Sequence, residues 1–544
     1  MLTKTAHYLV CLLFFIIPAI WWTRLNANYY STKLSLFFLA GALAWLAIPS
    51  KITLPKFPRI MLISLLVIIF LQLVKHTYTF SFDNFLHFGK FLSFIALVFW
   101  LYSRGLALET IYEKTTYVLL LTALFILGVS SYEFFQFRII NQSLDLGLVS
   151  TFGNINMTAE YLVLTVPFLF YWTRFKDKTP QWLKLAVFSF WLFFILYCRS
   201  RSAWIGLALW LILQFRYKIS KKEFMAITTS LLLYFAAEYM PAKESRVGLD
   251  KLNSGTQRLA LYVTTFEMIK DYPWGIPAGS YLSEVEPYLM QSTLKPSEFN
   301  YYDQPHSEFL KWGVQFGWVF LAASMVFIFS ILFYLAKWFW LKKNSYFVET
   351  FAVLLPQLLF QFPFENPASL LYLSLPLALF FKEFYTTKII NIHFSYRPLM
   401  YILFLAGLYN SVGFVNSVYQ ESTIPRNEKI IAACDYYPIN IKACHAKLGY
   451  YIDNKKFDRF LAEFKVDFVK YPFFVDYLKL LPTYYSLKLN NKKSCQALFL
   501  YETIFPLQKS FEAKYYENCK GFPNIFYFDE PQKFKTRYLT WLDL

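Results

Sequence analysis

Glycine is scarce in this chain, 17 residues in 544. No Gly-rich phosphate loop, H-E-x-x-H zinc motif or G-x-S-x-G nucleophile elbow occurs. The six histidines (His7, His76, His87, His306, His393, His445) are scattered, which gives a His-rich metal cluster little support. Charge is sparse at 16%, against roughly 25% in soluble domains. Six cysteines are too few for a disulfide miniprotein, and the low glycine and proline exclude a collagen. Instead 57% of the residues are apolar and 22% aromatic, which excludes a disordered chain and leaves a polytopic membrane protein. The net charge of +18 would suggest nucleic acid on a soluble protein. On a membrane protein it fits cytoplasmic loops rich in Lys and Arg, with no nucleic-acid partner.

Apolar runs of spanning length occur near 7–22, 34–49, 60–75, 86–103, 117–135, 158–174, 182–198, 202–215, 224–240, 306–336, 346–363, 367–385 and 398–418. The expected fold is therefore all-α, with about 12–13 transmembrane helices. The short run 202–215 and the close pair 346–363 and 367–385 could be re-entrant instead. Lys and Arg recur in alternate loops: Lys51, Lys56 and Arg59; Arg174, Lys176 and Lys178; Arg216, Lys218, Lys221 and Lys222; Lys337, Lys342 and Lys343; Lys382, Lys388 and Arg397. That side is cytoplasmic by the positive-inside rule, as is the N-terminus with Lys4. The long loop 241–305, with six basic and eight acidic residues, and the tail 420–544, with 19 and 14, then lie outside. Most of the positive surplus thus belongs to the cytoplasmic loops. The first apolar run has no A-x-A exit and reads as a retained anchor.

Two domains are expected: a multi-pass unit over 1–419 and an extracytoplasmic helical unit over 420–544. In the tail, helical periodicity at 440–452, 455–470 and 473–490 is broken at Asp-Asn and Leu-Asn-Asn, the pattern of helical-repeat hairpins. Cys434, Cys444, Cys495 and Cys519 all fall there, suggesting two disulfides in an oxidising compartment. Three pairings are open, and the sequence-local one is favoured: Cys434 with Cys444 and Cys495 with Cys519. Unpaired buried thiols are the plainer alternative.

Three outer basic sites carry chemistry. Tyr197-Cys198-Arg199-Ser200-Arg201-Ser202-Ala203-Trp204 is a hairpin between two apolar runs, with two arginines on the face where positive charge is disfavoured. Snorkelling is the ordinary role of such arginines. A planar guanidinium also suits a pyrophosphate, and Arg201 ranks above Arg199 for that role. Arg258 follows Gly255-Thr256-Gln257 and opens an amphipathic stretch ending at Asp271 and Pro273. If that stretch is a helix, Arg258 sits near its N-terminus, where backbone N–H groups favour an anion; a solvated surface charge is the alternative. His306, in Asp303-Gln304-Pro305-His306-Ser307-Glu308-Phe309-Leu310, stands where the outer loop returns to the membrane, with Asp303 and Glu308 close in sequence. A lone histidine is more often structural, yet this one is the best general-base candidate in the chain.

The order of these segments resembles the O-antigen ligase and O-antigen polymerase superfamily, which includes the bacterial O-linked oligosaccharyltransferases. Ser200-Arg201-Ser202-Ala203-Trp204 matches that family's Ser-Arg-Gly/Ser-Ala-Trp segment, and Arg258 with Pro273-Trp274-Gly275 resembles its loop arginine and proline–glycine turn. His306-Ser307-Glu308-Phe309-Leu310, followed by Gly317, matches its His-Asn/Ser-x-x-Leu opening. Phe152-Gly153-Asn154-Ile155-Asn156-Met157-Thr158-Ala159 matches its Phe-x-Asn-x-Asn-x-x-Ala segment, so the likeness covers about 145–385. The turn continues as Gly275-Ile276-Pro277-Ala278-Gly279 where the family often has Gly-x-Gly, and no Gln-Pro-Asn signature of protein-directed members stands near Asn156.

The resemblance implies a metal-independent, inverting glycosyltransferase of the bacterial inner membrane with no cofactor, working at the periplasmic face. The donor would be a glycan on undecaprenyl diphosphate and the acceptor lipid A-core or a protein. Arg201 and Arg258, with Arg199 behind them, would neutralise the pyrophosphate, and His306 would activate the acceptor hydroxyl. A protein O-oligosaccharyltransferase or polymerase is the near alternative. A lipid-linked glycan transporter is the distant one, disfavoured because few ionisable residues read as lying deep in the spans and no repeat is evident.

Overall fold

The structure, a computed structural model, describes residues 2–19, 29–48, 51–55, 82–103, 108–141, 150–152, 154–174, 179–216, 219–239, 249–276, 304–340, 346–361, 363–384, 389–393, 441–470 and 475–504, with isolated positions between them. Twelve helices are described before residue 385. They are α1 (Leu2–Ala19), α2 (Tyr29–Ala47), α3 (Phe82–Ser103), α4 (Leu108–Glu133, continuing as a π-helix over Phe134–Ile140), α5 (Ile155–Arg174) and α6 (Gln181–Tyr197). Then come α7 (Arg201–Arg216), α8 (Lys221–Glu238), α9 (Leu249–Asp271), α10 (Glu308–Trp340), α11 (Tyr346–Phe360) and α12 (Pro367–Phe384). Eleven of the thirteen expected runs coincide with helices, and α9 lies in the long loop 241–305. The run 60–75 and most of 398–418 lie outside the described residues.

One departure from the all-α expectation is a two-stranded antiparallel ribbon, β1 (Lys51–Pro55) with β2 (Ile389–His393), pairing Lys51 with His393. It joins two segments that follow α2 and α12, helices that themselves pack together. Among the described residues two helical stretches are long and apolar enough to cross a membrane, Val118–Ile140 and Glu308–Val326, and seven shorter apolar helices accompany them.

The centre is α5, whose residues Thr158–Phe170 are all buried, as expected of a helix apolar around its whole circumference. It packs against α6, α7, α11 and α12. Asn154 caps it, its Oδ1 accepting from the N–H groups of Asn156 (2.8 Å) and Met157 (3.4 Å), so the Phe-x-Asn segment owes its first asparagine to helix initiation. On one flank α1, α2, α3 and α12 pack in sequence, and on the other α6 packs on α8 and α7 on α11. The runs 202–215, 346–363 and 367–385, doubtful in the sequence, are each a continuous helix; α7 and α11 span only about 22–24 Å at 1.5 Å per residue.

Buried ionisable residues are more numerous than the sequence suggested. Lys33, Lys90, Glu133, Arg138, Glu160, Lys184, Glu308, Lys311 and Glu349 are all buried. Most lie near helix ends with partners: Lys33 Nζ donates to the Pro18 carbonyl (3.0 Å), Glu133 Oε2 accepts from the Ser150 N–H (2.6 Å), and the Trp210 indole donates to Glu349 Oε2 (2.9 Å). Arg138, in the π-helical turn, donates to the Ala237 carbonyl through Nε (3.3 Å) and Nη2 (3.0 Å).

Helix α10 is broken at Gly317, where φ is +80° and ψ is −178°. The Trp318 N–H, which the break releases, donates to the Pro273 carbonyl at 3.0 Å, and the Ile276 N–H donates to the Val314 carbonyl at 2.8 Å. Gly275, at φ +84°, ends the Pro-Trp-Gly turn. A Cβ on Gly275 would run into the Gln315 carbonyl and one on Gly317 into that of Pro273. Two glycines 42 positions apart therefore allow one backbone-to-backbone contact.

The tail holds α13 (Ile441–Asp453), α14 (Phe457–Lys470), α15 (Val475–Leu487) and α16 (Asn491–Ile504), paired as two hairpins. Both inner turns close alike. Lys455 and Leu489 adopt left-handed φ of 57° and 58°, and the next N–H reaches back to Tyr451 (2.8 Å) and Tyr485 (2.9 Å). These turns are 34 positions apart, the period of two-helix solenoid repeats. The favoured disulfides are present, Cys434–Cys444 and Cys495–Cys519. Leu448, Phe460, Phe464, Leu481 and Leu500 form a separate apolar core.

Gly317→Ala should lower the stability of the purified protein by about 1–3 kcal/mol or more, because this φ/ψ region is nearly closed to other residues. Gly128→Ala, with open space around a Cβ, should be neutral or slightly stabilising. Thermal unfolding of both variants in detergent checks the pair; equal midpoints would remove the backbone contact from the fold's requirements.

Candidate functional site

The arginine hairpin is built by the end of α6 and the start of α7. Arg199 takes a left-handed φ of 53°, which turns the chain sharply so that α7 begins at Arg201. The Ser200 carbonyl accepts the first helical bond, from the Trp204 N–H at 3.0 Å. Arg201 thus occupies the first position of α7, exposed to solvent and beside the positive end of the helix dipole. Arg199 is placed differently: its Nη2 meets both oxygens of Glu238, at 2.7 and 2.6 Å. That carboxylate ends α8 and holds the arginine across the hairpin.

The N-terminal position expected for Arg258 is not observed. Helix α9 begins at Leu249, about two and a half turns earlier, because Leu252-Asn253-Ser254 and the glycine at 255 continue the helix. Arg258 is half-buried in mid-helix, and any pull on an anion there comes from its own guanidinium rather than from unsatisfied N–H groups. One turn on, Tyr262 shares its face. The Tyr262 hydroxyl lies 3.2 Å from the His306 carbonyl and 3.4 Å from that of Leu359, in the last turn of α11. A further turn on, Thr265 Oγ1 meets the Tyr281 hydroxyl at 2.6 Å.

His306 has a left-handed φ of 52° and precedes α10, which starts at Glu308. Asp303 lies outside the described residues. Burial first and the Arg258 guanidinium second lower the imidazole from near 6.5 to about 4. The ring is therefore neutral at physiological pH and able to accept a proton, though weakly basic. An anion beside Arg258 would cancel the second cause and make it a stronger base. Glu308 is directed away from this role, one of its oxygens accepting from the Phe364 N–H at 2.9 Å.

Neighbours of the three sites reach one helix end. Ser202, next to Arg201, donates to Gln357 Oε1 at 3.1 Å in the last turn of α11, the turn that Tyr262 reaches through Leu359. The hairpin, α9 and His306 thus share the C-terminal turn of α11. Sequence reading missed that turn and missed Tyr262, although its spacing of four from Arg258 was a usable signal. It also missed Glu238, which has no sequence link to Arg199.

Residues 185–325 match the family described as O-antigen ligase. That match, over about a quarter of the chain, supports the O-antigen ligase superfamily. The match runs from α6 into α10 and contains Arg199, Arg201, Arg258, Gly275, His306 and Gly317, a narrower stretch than the motif likeness of 145–385. The O-antigen ligase family comprises glycosyltransferases of the ligase and polymerase type. No curated protein matches the chain significantly.

The titration of His306 is testable. In ¹⁵N-imidazole spectra, with His306→Ala for assignment, its ring should stay neutral down to about pH 5, and Arg258→Gln should raise its pKa only partway, since burial is the larger cause. A ring protonated at pH 6 would contradict this geometry.

Proposed function

We propose that the protein transfers a glycan from undecaprenyl diphosphate to an acceptor hydroxyl at the periplasmic face of the inner membrane, with lipid A-core as the acceptor. The observation that supports the reading is that Ser202, beside Arg201, and Tyr262, one turn from Arg258 and bonded to the His306 carbonyl, both reach the last turn of α11. Arg201 and Arg258 neutralise the diphosphate as it departs, which is where negative charge develops. Arg199, held by Glu238, ranks behind them as a donor contact. His306 takes the proton of the acceptor hydroxyl, whose oxygen displaces the lipid diphosphate at the anomeric carbon in one step, with inversion and without a resident metal or cofactor.

Several features support the membrane placement. Large apolar side chains face outward along neighbouring helices, among them Ile212, Phe215, Phe224, Met225, Leu232 and Phe235. Long-range contacts between helix ends join residues assigned by charge to the same side. The β1–β2 ribbon and the Arg174–Glu223 ion pair (2.6 Å) join cytoplasmic segments. Thr151 donating to the Pro18 carbonyl (2.6 Å) joins outer ones. The proposed division is a multi-pass unit over 1–419 and a periplasmic helical unit over 420–544. The two-hairpin tail favours, as a second reading, a protein acceptor, because solenoid repeats bind extended partners.

His306→Ala should reduce surface glycan by about 10²–10⁴-fold while lipid-linked donor accumulates on the outer leaflet. Arg201→Lys, which keeps the charge and loses the fork, should fall between that and wild type. Unchanged glycan in His306→Ala would sink the catalytic assignment, and loss of glycan with donor still outward would sink the transporter.

A further inference from the structure

His306 is a bulky residue held in the left-handed backbone region, at φ 52°. Such a conformation is strained in any residue but glycine and persists only where the surroundings impose it. Here the constraints on both sides can be named. Pro305 precedes the histidine with its φ fixed by the ring. After it α10 starts, its Lys311 N–H donating to the Ser307 carbonyl at 3.0 Å. Between the two lies the peptide that carries the His306 carbonyl, and the Tyr262 hydroxyl donates to that carbonyl at 3.2 Å. The same hydroxyl lies 3.4 Å from the Leu359 carbonyl, in the last turn of α11, where carbonyls lack the N–H of a following turn.

A phenolic hydroxyl has one hydrogen to give. Shared between two main-chain carbonyls, it does not serve as an acid toward a substrate, and what it does instead follows from geometry. Once the peptide planes on both sides of a residue are fixed, so is the direction of its Cα–Cβ bond. Holding the His306 carbonyl therefore sets where the imidazole is presented. Tyr262 stands one turn from Arg258 on the same face of α9, and the charge of that guanidinium reaches both the tyrosine and the imidazole. Further along, α9 is pinned to α10 by the backbone bonds around Gly275 and Gly317. The Tyr262 hydroxyl is thus a side-chain tie at one end of the contact between α9 and α10, and the glycine turn is the backbone tie at the other.

We propose that Tyr262 is a positioning residue for the transfer reaction: its hydroxyl holds the main chain of His306 in the left-handed conformation that presents the imidazole to the acceptor hydroxyl, and registers that conformation against the end of α11. The proposal rests on the reading of His306 as the group that activates the acceptor. In this role Tyr262 touches neither donor nor acceptor and acts through His306 alone. A phenylalanine at this place would pack alike and leave the carbonyl unheld.

The test pairs two tyrosines that bond to or from α9. Tyr262→Phe removes the hydroxyl at His306 and keeps the ring, while Tyr281→Phe removes the hydroxyl that meets Thr265 Oγ1. In the full chain in lipid nanodiscs, with the ¹⁵N-imidazole signals of His306 assigned by His306→Ala, Tyr262→Phe should shift those signals and Tyr281→Phe should leave them in place. In cells, Tyr262→Phe should slow surface-glycan formation about tenfold, short of the ~100-fold that goes with a misplacement of about 1 Å. Thermal unfolding confirms that the variants are folded. Tyr262→4-aminophenylalanine, which restores a donor, should recover most of the signal position and of the rate. The positioning role is overturned by unmoved His306 signals in folded Tyr262→Phe, by equal shifts in Tyr281→Phe, or by wild-type glycan formation in Tyr262→Phe where His306→Ala abolishes it. If Tyr262→Phe does not fold, 3-fluorotyrosine at position 262, a stronger donor of nearly the same size, takes its place: displaced His306 signals support the bond and unmoved ones overturn it. Displaced signals in Tyr262→Phe together with unchanged glycan in His306→Ala would refute the transferase reading and leave the Tyr262 bond standing.

Discussion

The site depends on a contact made by backbone alone. Where α10 breaks at Gly317, the N–H of Trp318 loses its helical partner and finds the Pro273 carbonyl instead. The Val314 carbonyl in turn receives the Ile276 N–H. These two bonds pin the Pro-Trp-Gly turn at the end of α9 onto the helix that starts just after His306. Because neither glycine carries a Cβ, the chains approach to hydrogen-bonding distance, and α9 packs along α10 with Arg258 and Tyr262 turned toward His306. Without that clamp the loop 241–305 would carry its arginine on a helix held only by side-chain packing.

Electrostatics then follows from depth. Several charged groups near helix ends have partners among the described residues: Arg199 pairs with Glu238 and Lys90 and Lys311 with Glu365, while Glu160 accepts from the Ser369 hydroxyl at 2.6 Å. Pairing offsets desolvation, which is severe where few waters reach. Arg201 is exposed at the head of α7, and His306 is a neutral ring next to a cation. A diphosphate would change both surroundings at once, by supplying charge to the arginines and by relieving the repulsion that weakens the imidazole as a base.

Much of this was legible from local pattern. The helices appear as apolar runs, the tail hairpins as periodicity broken at Asp453-Asn454 and Leu489-Asn490, and the disulfides as the nearest pairs of cysteines. Asn154 was visible within a motif, although its work as a helix cap was not. The β1–β2 ribbon was illegible because its strands lie more than 300 residues apart, so no local signal could pair them. The start of α9 was misplaced because Gly255 reads as a breaker, while in the fold it lies inside the helix.

The sequence by itself determined the class of molecule, the order of its helices, the side to which charge assigns each loop, and the identity of Arg201, Arg258 and His306 as candidates. Hydrophobicity and charge act residue by residue, and such properties survive in one dimension. Only the tertiary structure decided which candidates meet. It tied Arg199 to Glu238, moved Arg258 to mid-helix, used Tyr262 to join His306 with the end of α11, and turned Glu308 to the Phe364 N–H. Each of these depends on contacts between segments tens to hundreds of residues apart, set by packing and by the requirement that buried polar groups find partners.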